Sequence, residues 1–310
     1  MVWASAAAIA KTVRVSGPIP PPAAEIDITE SLVRALLRSQ HADLADEPLE
    51  VLANGWDNVI VRLGEELLVR LPRRELASQL MHNEQRWLPS LAPMLPLPIS
   101  SPVRIGTPTA EYPWPWTISR WFPGRSALTE APTDPLAAAQ ALGEFVAALH
   151  VPAPPEAPAN PYRGIPLADR NELTLGWIDQ LGSTVDGDQV RRCWAHHVAL
   201  PRWSGPPLWL HGDLHPHNVV VHQGRVAAVI DFGDITSGDP ATDLAIAWML
   251  LPPAARPAFR DAARLPDEAT WERGRGWALA LGLAYLAHSA STPDFAQLGM
   301  ATISAVIADA

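Results

Sequence analysis

The sequence predicts an α+β fold of two lobes, an N-terminal antiparallel sheet with one crossing helix followed by a mainly helical lobe. Three observations predict it. The 310 residues exceed what a single core usually holds. Short β-rich runs crowd the segment before residue 122, whereas apolar residues recur at helical spacing after it. A Pro123-Gly124 break separates the two patterns.

The opening stretch, with Gly17 and Pro18, Pro20, Pro21 and Pro22, reads as a flexible leader over residues 1–26. The first lobe is expected over residues 27–122. Asp27 and Thr29 are candidate caps for a helix that carries Leu32, Val33, Leu36 and Leu37 and ends near Gln40. Strands follow at Leu49 to Asn54, Asn58 to Leu63 and Leu67 to Leu71, with glycine turns between them. After Pro72 a helix carries Leu76, Leu80, Glu84, Trp87 and Leu88, and two more strands are expected at Val103 to Ile105 and Trp116 to Trp121.

The second lobe, residues 123–310, opens with a helix from Pro135 to His150. Proline-rich Val151 to Pro161 reads as a surface connection. Small strands at Leu208 to Leu210, Asn218 to His222 and Val226 to Ile230 interrupt the helices, which resume over Leu244 to Leu251, Pro253 to Arg264, Trp271 to His288 and Phe295 to Ala308.

Composition narrows the function. Hydrophobic residues make up 48% and charged residues 18%, as in soluble globular chains rather than disordered ones. A formal net charge of −10 gives no support for a nucleic-acid partner, and no apolar run is long enough to predict a membrane span. The single cysteine, Cys193, forms no intrachain disulfide and suits a reducing cytoplasm. Apolar Val2 to Ala10 has no basic residue before it, the wrong charge order for a secretory signal.

The chemistry concentrates in His211 to Asp234, HGDLHPHNVVVHQGRVAAVIDFGD. Asp213 precedes an amide, Asn218, by five positions, and a second carboxylate, Asp231, ends the following strand on a Phe232-Gly233 turn. Phosphoryl transfer needs such a set, because Mg²⁺ on hard oxygen ligands must neutralise the nucleotide while a hydroxyl is aligned for attack. Asn218 and Asp231 suit the metal. Asp213 suits the acceptor hydroxyl as a proton-accepting, orienting base. His211, His215 and His217 offer a competing zinc reading.

Asp213-x-x-x-x-Asn218 followed by Asp231-Phe232-Gly233 matches the protein-kinase spacing, and HGDLHPHN resembles the aminoglycoside phosphotransferase family. Asp239-Pro240 and Asp243-Leu244-Ala245 stand where that family has an Asp-Pro and an Asp-Leu-Ala after the metal turn. The resemblance implies a kinase-like bilobal fold, an ATP or GTP donor with Mg²⁺, and a small-molecule acceptor carrying a hydroxyl. It places His211 as a brace of the catalytic loop, and it leaves His217 where many members have glycine.

The family's phosphate-binding lysine is missing, since the one lysine is Lys11 in the leader. Arg70 takes its place by the resemblance, with Glu84 as its partner and Arg62 as a rival. Asn54-Gly55-Trp56-Asp57-Asn58 resembles the nucleotide-covering turn, so Gly55 and Asn58 are candidates to contact phosphates. Ser119 and Trp121 lie in the stretch that resembles the hinge and pairs with a purine; Trp114, Trp116 and Trp121 either stack on the base or pack internally.

For the acceptor, Asp261, Asp267, Glu268, Glu272 and Asp294 suit an amine-rich antibiotic, while Trp248, Trp271 and Trp277 suit a larger apolar one such as a macrolide. A kinase of an ordinary metabolite and a catalytically inactive nucleotide-binding module are the alternatives. The intact Asp213, Asn218 and Asp231 oppose the second of these, and the missing lysine favours it.

Overall fold

The computed structural model describes residues 23–55, 57–265, 267–288 and 292–309. Lys11, most of the expected leader and Trp56 therefore lie outside the described residues. Helix α1 (Glu30–Gln40) is capped by Thr29, whose Oγ1 accepts from the Leu32 N–H at 3.2 Å, and it buries Val33, Leu36 and Leu37. Strands β1 (Leu49–Asn54), β2 (Asn58–Leu63) and β3 (Leu67–Pro72) form a meander. Every second residue of β2 is buried, as one-sided packing of a sheet requires.

Helix α2 (Glu75–Leu91) crosses this sheet with Ala77, Met81, Glu84, Leu88 and Leu91 on its buried stripe. A carboxylate therefore points inward, and Glu84 needs a cationic partner. Beyond it, β4 (Pro102–Gly106) is the outer strand, and β5 (Trp116–Arg120) inserts between β3 and β4, giving the all-antiparallel order β1-β2-β3-β5-β4. One core lies between α1 and the sheet, centred on Leu37, Val61, Val69, Trp116 and Ile118. Leu88 and Leu91 of α2 belong instead to the larger core of the second lobe, so this helix is pinned to both.

The second lobe starts at the two-residue strand β6 (Arg125–Ser126), followed by α3 (Pro135–Leu149), which is capped by Asp134. Next come α4 (Asn171–Leu181), α5 (Gly187–Val198) and β7 (Leu208–Leu210). β8 (Val219–His222) pairs with β9 (Arg225–Val229) and with β6, and β10 (Thr236–Gly238) pairs with β7. Neither β6 nor β10 is visible as a periodic run, because strands of two or three residues leave no period to read.

The helix expected over Leu244 to Leu251 is two short ones, α6 (Ala241–Leu244) and α7 (Ile246–Leu250). At their joint Ala245 N–H bonds Thr242 O and Trp248 N–H bonds Ala245 O, the tighter i to i+3 pattern. Likewise Pro253 to Ala255 form a 3₁₀ turn before α8 (Arg256–Ala263). Helix α9 (Glu268–His288) is buried from Thr270 to Tyr285, apart from the partly exposed Glu272, because its neighbours enclose it. Against it lies α10 (Pro293–Ala308), close enough that a Cβ on Gly299 would stand 2.6 Å from Gly282 O.

One buried ion pair fastens α9 to the loop after β10: Arg273 Nε and Nη2 donate to Asp239 Oδ2 and Oδ1 at 2.8 and 3.1 Å. Replacing Arg273 with Met leaves a buried carboxylate without its cation, which costs about 3–5 kcal/mol. Urea denaturation of Arg273→Met should show a loss of that size, against little change for an exposed substitution such as Arg202→Met.

Candidate active site

The loop between β7 and β8 is held by backbone contacts before any side chain is aimed. Asp243 of α6 is fully buried and accepts from the His211 and Gly212 N–H groups at 2.8 and 2.9 Å. His150 donates to the same carboxylate at 3.2 Å. Gly212 has φ +83°, and a Cβ there would meet Asp234 O at 2.3 Å, so only glycine fits. The His211 ring bridges this loop to the next strand: Nδ1 accepts from Asp213 N–H at 3.2 Å, which leaves Nε2–H to donate to Ile230 O at 3.0 Å.

Asp213 is thereby presented with both oxygens engaged. Arg163 Nη2 donates to Oδ1 at 3.2 Å, and His215 Nε2 stands 3.3 Å from Oδ2. Burial pushes the Asp213 carboxyl up, whereas His215 and the Arg163 guanidinium pull it down toward the ionised form. Asn218 donates through Nδ2 to Asp213 O at 3.0 Å, which fixes the amide and leaves its Oδ1 with no protein partner among the described residues. Asp231 adopts φ +62°, a conformation rare outside glycine, and its side chain is half exposed. Hard oxygens from Asn218 and Asp231 fit a Mg²⁺ ion.

A cleft between the lobes is lined by Arg70, Ser119, Trp121, Ser126, His217 and Asp231, with Arg120 and Arg125 adding further cations. Arg70 and Glu84 meet as a buried two-point ion pair, and Arg70 Nη2 also reaches Asp231 Oδ1 at 3.5 Å. Burial alone lowers the Arg70 pKa; Glu84 and Asp231 outweigh it and keep the guanidinium charged. Arg62 is placed elsewhere. Its guanidinium bonds Gly64 O and Glu65 O and lies 4.8 Å over the Trp121 ring.

Other expected contacts are arranged differently. Gly55 N–H donates to Asn58 O at 3.0 Å, closing the β1–β2 turn on itself, and neither residue lines the cleft. Trp121 N–H is occupied by Glu66 O at 2.7 Å, whereas Phe122 N–H has no partner among the described residues. Ser119 is buried with an unpaired hydroxyl. Trp116 is fully buried, and Trp114 nearly so.

Two site residues were invisible in the sequence. Arg163, which grips Asp213, and Asn160, whose Nδ2 donates to Asp234 Oδ1 at 2.6 Å, come from the segment around the proline-rich connection. That segment enters the site because Pro158 O accepts from Ser237 N–H and Thr236 Oγ1, which draws it alongside β10. Neither residue carried a motif, and the density of proline was the wrong signal to follow.

A model of the phosphotransferase enzyme family matches residues 48–277, most of the chain. The chain belongs to this family. Its fold is that of solved aminoglycoside and macrolide phosphotransferases. Aminoglycoside 2'-phosphotransferase-IIIa in complex with GDP superposes with a TM-score of 0.69 at 19% identity, over 91% of this chain and 99% of the other. Macrolide 2'-phosphotransferase MphH from Brachybacterium faecium gives 0.61 at 22%, over 90% and 98%. ADP-bound aminoglycoside phosphotransferase APH(2'')-Ib gives 0.59 at 14%, over 90% and 99%. No curated protein matches the sequence. Among the described residues, no helix of this phosphotransferase is long and apolar enough to cross a membrane.

On the acceptor side, Asp294 lies near His217 beside the catalytic loop, while three of the other expected acids turn elsewhere. Glu268 pairs with Arg260, Asp267 caps Thr270 N–H, and Glu272 lies 3.7 Å from both His197 and Arg275. Trp248 and Trp271 pack on one another, and Trp277 is fully buried. What does face the catalytic loop is an aromatic cluster of His215, His217, Tyr285 and Phe295. The three loop histidines do not converge as a metal set.

Arg163→Ala tests the grip on Asp213. Removing the cation raises the carboxyl pKa, so the acid limb of the kcat profile moves to higher pH. We expect kcat to fall by about ten- to a hundredfold while nucleotide KM stays near its original value.

Proposed function

We propose that this phosphotransferase is a Mg²⁺-dependent kinase that moves the γ-phosphoryl group of ATP or GTP to a hydroxyl of an antibiotic-like small molecule such as an aminoglycoside. The observation that carries the reading is the Arg70–Asp231 contact, which sets a cation of one lobe against the metal-turn carboxylate of the other. Arg70, backed by Glu84, binds the α- and β-phosphates, and Phe122 N–H and Ser119 meet the purine. Mg²⁺ held by Asn218 and Asp231 neutralises the charge of the donor phosphates.

Asp213 orients the acceptor hydroxyl, whose oxygen bonds to the γ-phosphorus as the bond to the β–γ bridging oxygen breaks. The hydroxyl proton passes to Asp213 and leaves with solvent, and the nucleoside diphosphate departs. A second acceptor class, one with a large apolar face such as a macrolide, is favoured by Phe295 and His217, whose rings lie 5.8 Å apart beside the loop. The cytoplasm supplies the nucleotide.

Transfer of labelled phosphate to aminoglycosides, macrolides and amino alcohols, with ATP or GTP and with or without Mg²⁺, distinguishes the acceptors. No Mg²⁺-dependent turnover with any of them would sink the reading. Asp213→Ala should cut transfer by about two to four orders of magnitude while nucleotide still binds. Asp231→Ala should weaken Mg²⁺-nucleotide binding as well, and Arg70→Ala should raise nucleotide KM.

A further inference from the structure

Away from the cleft, α5 and α9 bring three ligand-type side chains together. One nitrogen each of His196 and His197 and a carboxylate oxygen of Glu272 lie within 4.8 Å of one another. His197 is 1% exposed, and its Nδ1, 3.7 Å from Glu272 Oε2, has no hydrogen-bond partner among the described residues. A buried polar atom left unpaired costs about 1–3 kcal/mol, so this nitrogen calls for an occupant. Beside it a cavity lined by Gln189, Arg192, Cys193, His196 and Arg275 admits solvent.

We propose that His196, His197 and Glu272 bind one transition-metal ion of the Zn²⁺ class, at a site none of whose residues lines the catalytic cleft. Imidazole nitrogen and carboxylate oxygen are both zinc ligands, with bonds of about 2.0–2.2 Å that set neighbouring donors roughly 3.3 Å apart. The three donors must therefore draw together. His196 is exposed and Glu272 only partly buried, so both can rotate in, while His197 is the fixed anchor.

Cys193, one turn before His197 on the same helix, lines the same cavity but is not one of the three converging ligands, so water completes the coordination. Arg275 opposes the ion, with Nη1 3.7 Å from Glu272 Oε2, but its Nε and Nη2 are committed to Val306 O at 3.2 and 2.7 Å. That neighbouring charge makes the site weaker than a structural zinc centre. A bound ion would clamp α5 to α9, the helix that also carries Arg273 and Tyr285.

The full chain, stripped of metal with a chelator, is titrated with Zn²⁺ against a chromophoric indicator and with Co²⁺ by visible absorption. We expect one equivalent bound, with the absorption pattern of four-coordinate Co²⁺. Affinity should fall at least about tenfold in His197→Gln and in Glu272→Gln. His196→Ala, at an exposed position, makes the same test if His197→Gln does not fold. His217→Ala should leave the stoichiometry at one. Absence of Zn²⁺ binding, unchanged affinity in these variants, or loss of the ion in His217→Ala would overturn the proposal. None of these readouts depends on the acceptor or on phosphoryl transfer.

Discussion

The conformation of the catalytic loop depends on one buried carboxylate. Asp243 takes the N–H groups of His211 and Gly212 on its two oxygens, so two consecutive peptides are fixed in a geometry that the positive φ of Gly212 alone would not hold. Burial pushes the Asp243 carboxyl up, yet the hydrogen bond from His150 and the N–H of Gly212 help to bring it below its ordinary value. It therefore stays an acceptor at neutral pH. From that anchor His211 passes the constraint to Ile230, and so to the peptide that precedes Asp231. Asp213 and Asp231 are thus positioned by one network, though they stand eighteen positions apart in the chain.

A second constraint joins the lobes. Glu84 faces the core because it lies on the apolar stripe of α2, and Arg70 is its cation. A lysine would offer one compact charge there; a guanidinium has a planar fork, so both of its ends bond Glu84 while one of them, Nη2, also reaches Asp231. On the proposed function, an arriving nucleotide would compete with Asp231 for Nη2, and a Mg²⁺ ion would compete with Arg70 for the Asp231 carboxylate.

Much of this was legible because kinase-type chemistry sits in a short segment. Asp213, Asn218 and Asp231 keep their spacing within one stretch of loop and strand, and the first three strands announce themselves by turns and alternation. Arg70 and Glu84 were readable as a pair only through the family resemblance, and the burial of Glu84 on the stripe of α2 supplies the physical reason for the pairing. Arg163 and Asn160 were not, since their role depends on Pro158 O meeting β10, a tertiary contact with no periodic or motif signature. The acceptor side fails for a related reason: acids grouped in sequence along α8 and α9 point to different neighbours once the helices turn them, whereas the aromatic cluster is assembled from the catalytic loop, α9 and α10.

If Asp213 takes the acceptor proton as proposed, its surroundings set what kind of base it would be. Its two partners, His215 and Arg163, favour the ionised form and so would weaken it as a base. A strongly basic group would be needed if the acceptor had to be an alkoxide before attack. In a loose phosphoryl-transfer transition state the nucleophile carries little new bond, and its proton becomes acidic only late. A weakly basic, rigidly held carboxylate is then the better arrangement, because its main task is to fix the direction of the hydroxyl lone pair. Arg163 and His215 serve that task by trading basicity for geometry.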